Sequence, residues 1–158
     1  MADARFEDGD EAPLRLIAQG AEDVPVLSAL VQDAVFPATE MRYDRKARRF
    51  AILLNRFRWE DAEAAKRHNR SYERVRSLLV IEDVLAVRRQ GIDPRDGDLV
   101  LSLLSLSYEA GEDGTGRLTL TLAGDGAVAV EVEALDLRLE DVTRPYAAPS
   151  RRAPEHRD

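Results

Sequence analysis

The chain has 158 residues, no cysteine, two histidines and a formal charge of −7. The missing cysteine excludes disulfides, thiolate nucleophiles and cysteine-ligated zinc. With 44% apolar and 34% charged residues, and no apolar run near the roughly 18 residues of a membrane span, the composition predicts one soluble globular domain, expected in the cytoplasm.

Residues 1–12 are polar, acidic and aperiodic, with no apolar core of a signal peptide, and predict a disordered tail. A single domain is expected over residues 13–148. Leu14 to Ala18 reads as a first strand, led by Pro13. Gln19-Gly20-Ala21 breaks it. Val24, Leu27, Val31, Ala34 and Val35 then recur on one helical face, with Glu22 and Asp23 in the first turn, where the helix dipole favours anions. Pro37 ends that amphipathic helix, which must cover one face of a sheet.

Residues 40–59 predict a β-hairpin. Glu40 to Tyr43 alternates polar and apolar, and Asp44 to Ala47 is a plausible turn. The continuous run Phe50-Ala51-Ile52-Leu53-Leu54 suits a strand buried on both faces. Phe50, Ile52 and Leu54 share one face, which Arg56 and Arg58 continue as a cationic end. Ala51, Leu53, Asn55, Phe57 and Trp59 share the other.

Glu60 to Ser71 has no apolar stripe and reads as a short exposed helix or a loop. Its His68 reads as ordinary surface, and with only His156 besides it no histidine metal site is available. Over Glu73 to Ile92, Val75, Ser77, Leu79 and Ile81 take one strand face. The apolar set changes past Glu82-Asp83, so this is two strands or one strand bent at a bulge. Arg88 and Arg89 close it. Asp93 to Asp98 fails the spacing of a calcium loop and reads as a turn. Strands follow over Leu99–Tyr108, Leu118–Leu122 and Val128–Val132, joined by glycine-rich turns that lack the lysine and hydroxyl of a phosphate loop. Parity slips after Val132. Residues 133–142 fit either a bulged long strand or a strand passing into a helix. Residues 149–158 predict a second disordered tail.

The order of elements predicts an α+β fold. The expected architecture is a mostly antiparallel, strongly curved sheet or small open barrel, pleckstrin-homology-like in arrangement, packed on one amphipathic helix. A helix-on-sheet sandwich is the alternative.

The stretch from Arg48 to Asp61, RRFAILLNRFRWED, resembles the signature of domain of unknown function 2948, a bacterial family of uncharacterised proteins. Leu14 to Ala18, Gln32 to Val35, Gly91-Ile92-Asp93 and Leu101 to Leu104 keep the family's order, so the resemblance spans roughly residues 14–148. It implies no particular chemistry and supplies no catalytic residue or cofactor.

Function is therefore read from surface features. Residues 42–76 hold twelve Arg and Lys against five Asp and Glu, whereas the remainder holds eleven against twenty-five. If the two cationic strand ends lie side by side, Arg56, Arg58, Arg88 and Arg89 form one anion or partner site, since the guanidinium fork suits carboxylates and phosphates. The plain reading is solvated hairpin flanks. Trp59 and Phe57 beside the arginines are candidates for stacking on single-stranded bases, or simply core or interface residues. No catalytic residue, metal ligand or cofactor motif stands out. The expected function is a non-enzymatic binding or adaptor module for a protein partner or anionic ligand. The alternatives are a nucleic-acid-associated or phosphate-ligand factor using the basic hairpin, and a small enzyme using carboxylate and arginine chemistry.

Overall fold

The computed structural model describes residues 13–93, 95–148 and 153–154. Both expected disordered tails, Ala153 and Pro154 apart, lie outside the described residues, as does His156.

The fold is α+β and mostly antiparallel sheet. Strand β1 (Arg15–Ala18) leads through a 3-10 turn into helix α1 (Val24–Val31), and β2 (Val35–Pro37) follows. The hairpin β3 (Met41–Asp44) and β4 (Arg49–Phe57) precedes helix α2 (Trp59–Arg67). Then come β5 (Glu73–Ile81), β6 (Val84–Gln90), β7 (Val100–Ala110), β8 (Gly116–Leu122), β9 (Ala127–Val132), β10 (Leu137–Asp141) and β11 (Tyr146–Ala147). The strand order is β1-β10-β5-β4-β2-β7-β8-β9-β6, with β3 beside β4 and β11 beside β5. The sheet does not close, because β1 and β6 remain its two ends.

One core gathers the buried side chains of the strands and of α1. Phe50, Ile52 and Leu54 of β4 meet Leu79 and Ile81 of β5, and Leu118, Leu120, Val128 and Val130 face them from the other half of the sheet. Val24, Leu27 and Val31 of α1 complete it. Burying each such side chain stabilises the fold by about 1.5–3 kcal/mol. Only one face of β4 is fully buried; Ala51, Leu53 and Asn55 on the other are partly exposed. The expectation of burial on both faces is thus corrected, since among the described residues the outer face of the sheet there is only partly covered.

The sequence reading of α1 runs too long. The helix ends at Val31, and Asp33 takes a left-handed φ of 63°. The Asp33 amide donates to the Leu103 carbonyl at 2.7 Å, which draws the chain into the sheet. Val35 becomes strand, pairing with both Asn55 and Ser102. Periodicity could not reveal this, because a three-residue strand has too few side chains to break a helical pattern. Trp59 likewise leaves the hairpin and opens α2. The fold therefore has two helices rather than one.

Two places where parity was ambiguous resolve as corners. At Asp83, φ is 56° and the chain turns from β5 directly into β6. Asp tolerates this conformation, which β-branched residues resist. An Asp83→Val chain is expected to lose about 1–2 kcal/mol, and an Asp83→Gly chain to lose almost nothing, as read from urea midpoints. Residues 133–136 turn the chain out of β9, and β10 then pairs with both β1 and β5. Residues 137–141 are strand, not helix. A further strand, β11, pairs with Arg74 and Glu73 and went unpredicted.

A bulge in β7 also matters for the surface. Register shifts between Leu103 and Ser105, so Leu103 and Leu106 both face the core. Leu104 is the extra residue and stands 36% exposed.

Candidate functional site

Arg56 lies on β4 and Arg58 just beyond its end, whereas Arg88 and Arg89 lie on β6, which is not a neighbour of β4, so the structure does not bring the four together. Arg56 lies on the buried face of β4, where the apolar alternation carries it inward, and it is fully buried. Its Nη1 and Nη2 donate to the two Glu60 oxygens at 2.8 Å each, and Nη2 donates to Asp141 Oδ1 at 2.9 Å. Its Nε donates to Ser77 Oγ at 3.0 Å, and that hydroxyl donates to Asp141 Oδ1 at 2.6 Å. The Leu14 amide reaches Asp141 Oδ2 at 3.0 Å. One guanidinium thus ties α2, β5, β10 and the start of β1 to the end of β4.

Arg58 is nearly buried and donates to Glu73, with Asp61 3.7 Å away. Asp61 also accepts two hydrogen bonds from Arg70, at 2.9 and 3.1 Å. Burial opposes the charge of Glu60, but the Arg56 hydrogen bonds and charge hold its carboxyl below the ordinary value on balance. Burial likewise opposes Asp61, and the Arg70 hydrogen bonds with the charges of Arg58 and Arg70 outweigh it. Against its own burial, Arg56 is pushed upward by Glu60 and Asp141, so it stays charged. What reads in the sequence as a cationic surface end is an internal ionic cluster.

Trp59 is fixed as well. Its indole N–H donates to the Gln32 carbonyl at 2.9 Å, and its ring meets Phe57 edge-on at 4.6 Å. Phe57 is 1% exposed and presents no face to a base. His68 is exposed at the end of α2. Among the described residues, no three His, Asp or Glu side chains gather as metal ligands. No helix among them is long and apolar enough to cross a membrane.

Arg88 and Arg89 differ from the first pair: both are exposed, and β6 is an end strand of the sheet. Arg88 lies opposite Ala129 and Arg89 opposite the buried Val128, so their side chains leave opposite faces of the strand. Beyond Val84, whose amide donates to the Arg48 carbonyl, the outer edge of β6 meets no strand among the described residues. A cleft of about 490 Å3 separates this edge from the β3–β4 hairpin, lined by Tyr43, Arg45, Arg48 and Val84 to Val87. Arg45 lies 6.0 Å from the Tyr43 ring centre, and Leu85 is 53% exposed. Arg48 is bonded to Glu133 and Arg49 to Glu82.

A second cleft, of about 480 Å3, runs along the junction of α1 and β7. A third, of about 250 Å3, lies where β2 meets β4 and is lined by Val35, Leu53, Asn55, Arg76 and Val100 among others. None of the Arg56 cluster lines any of the three.

The model of one protein family, Protein of unknown function (DUF2948), matches residues 14–156. The chain belongs to the DUF2948 family. Most of the matched residues are among those described, including the ionic cluster and the three clefts. No curated protein and no solved structure matches the chain.

Proposed function

We propose that the protein is a non-enzymatic binding module that takes an extended acidic segment of a partner protein along β6. The reading rests on one observation: an unpaired strand edge beside a cleft bordered by arginines. Hydrogen-bonded pairs alternate along an antiparallel ladder. The Leu122 amide donates to the Gly126 carbonyl in the β8–β9 hairpin, so Val128 and Val130 bond toward β8, while Ala129 and Glu131 bond toward β6. Arg88 and Ala86 therefore pair with β9, and the backbone groups of Val87 and Arg89 point outward.

An incoming strand completes that ladder, with main-chain bonds supplying affinity and side chains supplying choice. Leu85 and Tyr43 offer apolar contact. Arg45, Arg88 and Arg89 favour carboxylates on either face of the added strand. Arg56 and Arg58 take no part, because both guanidiniums are buried among carboxylates inside the fold. This also weakens the enzyme reading, since Glu60 and Asp61, both held below their ordinary values, serve a structural cluster.

The test is titration with a nine-residue peptide alternating Glu and Val. Binding should slow hydrogen exchange at the Val87 and Arg89 amides, and the Arg88→Glu/Arg89→Glu chain should bind about tenfold more weakly or worse. Binding that leaves those amides untouched defeats the proposal. A single-stranded RNA that binds where the peptide does not would favour the nucleic-acid alternative instead.

A further inference from the structure

We infer that the cleft between α1 and β7 is a second docking groove, of opposite polarity, for a basic extended segment of a partner protein. It does not depend on the β6 reading, because it uses another strand and another set of charges.

Backbone geometry comes first. The Gly111 amide donates to the Thr115 carbonyl, so alternate pairs along the β7–β8 hairpin place Glu109, Ser107 and Ser105 in bonds with β8. Leu106, Tyr108 and Ala110 then point away from β8. β2 pairs with β7 only as far as Ser102. Ser28 Oγ of α1 accepts the Leu106 amide at 2.9 Å, but beyond it no strand faces Tyr108 or Ala110 among the described residues. The edge is capped at one point and open past it.

Small side chains make up part of the groove beside this edge, alongside Val24, Pro25, Gln32 and Leu106. Ala21, Ser28 and Ala29 line the helix side, and Ser105 and Ser107 line the strand side. Leu104, displaced outward by the bulge, supplies an apolar contact at one end, and Tyr108 stands at the other. Small walls leave room for the partner's larger side chains.

Charge selects the partner. Residues 19–41 and 96–116, the two segments that carry the groove, contain nine Asp and Glu and not one Lys or Arg. Glu22, Asp23 and Glu109 immediately flank the lining residues, and Glu22 and Glu109 are exposed. Two nearby cations offset part of this charge: Arg117 of β8 lies opposite Glu109 but is bonded to Glu131, and Arg74 of β5 feels the charge of Asp33, which leaves Glu22 and Asp23 as the main anions beside the groove. A peptide with Lys or Arg at alternate positions meets a rim in which Glu22 and Asp23 lead an acidic excess, while an acidic peptide is repelled.

A nine-residue peptide alternating Lys and Val is the probe, compared with the same peptide carrying Gln or Glu in place of Lys. The Lys peptide should bind at least about tenfold more tightly than the Gln peptide, weaken with salt, and slow exchange at the Tyr108 and Ala110 amides. The chain's net negative charge alone would also attract a cation, so the deciding variant keeps every charge and fills the groove. Ala29→Tyr, at an exposed helix position, should abolish the slowed exchange and most of the binding. Equal affinity for the Lys and Gln peptides would overturn the assignment of a basic partner. Binding unchanged by Ala29→Tyr would overturn the groove itself.

Discussion

An Arg56→Met chain should be destabilised by about 3–5 kcal/mol, because the substitution strands Asp141 and Ser77 in the interior. The side chain of Asp141 is 4% exposed, and it would keep only the Ser77 hydroxyl and the Leu14 amide as partners. For a domain of this size that corresponds to a fall in melting temperature of about 10 °C. Arg56→Lys should not rescue it, since an ammonium cannot span Glu60, Ser77 and Asp141 together. Combining Arg56→Met with Asp141→Asn should cost less than the two single changes added, because the neutral amide no longer leaves a charge unpaired. Urea midpoints of the four chains decide this. A fully additive cycle would mean that the two side chains do not act together.

The second large effect is loss of the fold in acid. Glu60 and Asp61 hold depressed pKa values against the opposing effect of burial, and the hydrogen bond from Arg49, with Arg138 in support, depresses Glu82. In the unfolded chain all three return to ordinary carboxylate values near about 4. The unfolded state then binds more protons than the folded state once pH drops into that range. Stability from these groups is complete above the ordinary carboxylate values and disappears as pH falls through the folded ones. Urea midpoints should be level from near neutral pH down to about 5, then drop steeply. A Glu60→Gln chain should start lower and fall less steeply in acid. A wild-type midpoint that stays level down to about pH 3 would exclude this account.

Much of the fold is legible in the residues themselves. The β3–β4 hairpin, the face shared by Phe50, Ile52 and Leu54, and the alternating valines of β9 all follow from period-two patterns, which local sterics and burial impose strand by strand. The turn at Asp125 shows as Gly124-Asp125-Gly126, because those residues tolerate left-handed backbone, whereas at Asp83 the residues alone leave two strands and one bulged strand equally open. Strands of two or three residues do not show: β2 and β11 exist because β4, β7 and β5 offer them partners. The candidate sites were harder. Arg88 and Arg89 are exposed at the end of the sheet, whereas Arg56, which reads in the sequence as part of the same cationic surface, is buried. A guanidinium is rarely buried without partners, and the sequence does not reveal them. Its partners Ser77 and Asp141 lie 21 and 85 residues away. The acidic composition of residues 19–41 and 96–116 was equally plain in the chain, but without β7 laid against α1 it marks no groove.

What the amino-acid sequence determined alone is therefore local: which residues turn inward, where the backbone turns, and which segments carry each sign of charge. Tertiary structure alone decided which strands are neighbours, and with that whether an arginine is solvated or sealed among carboxylates. The physical reason is range. Periodicity and turn preference act over a few residues, whereas ion pairing, edge exposure and clefts depend on contacts between segments far apart in the chain.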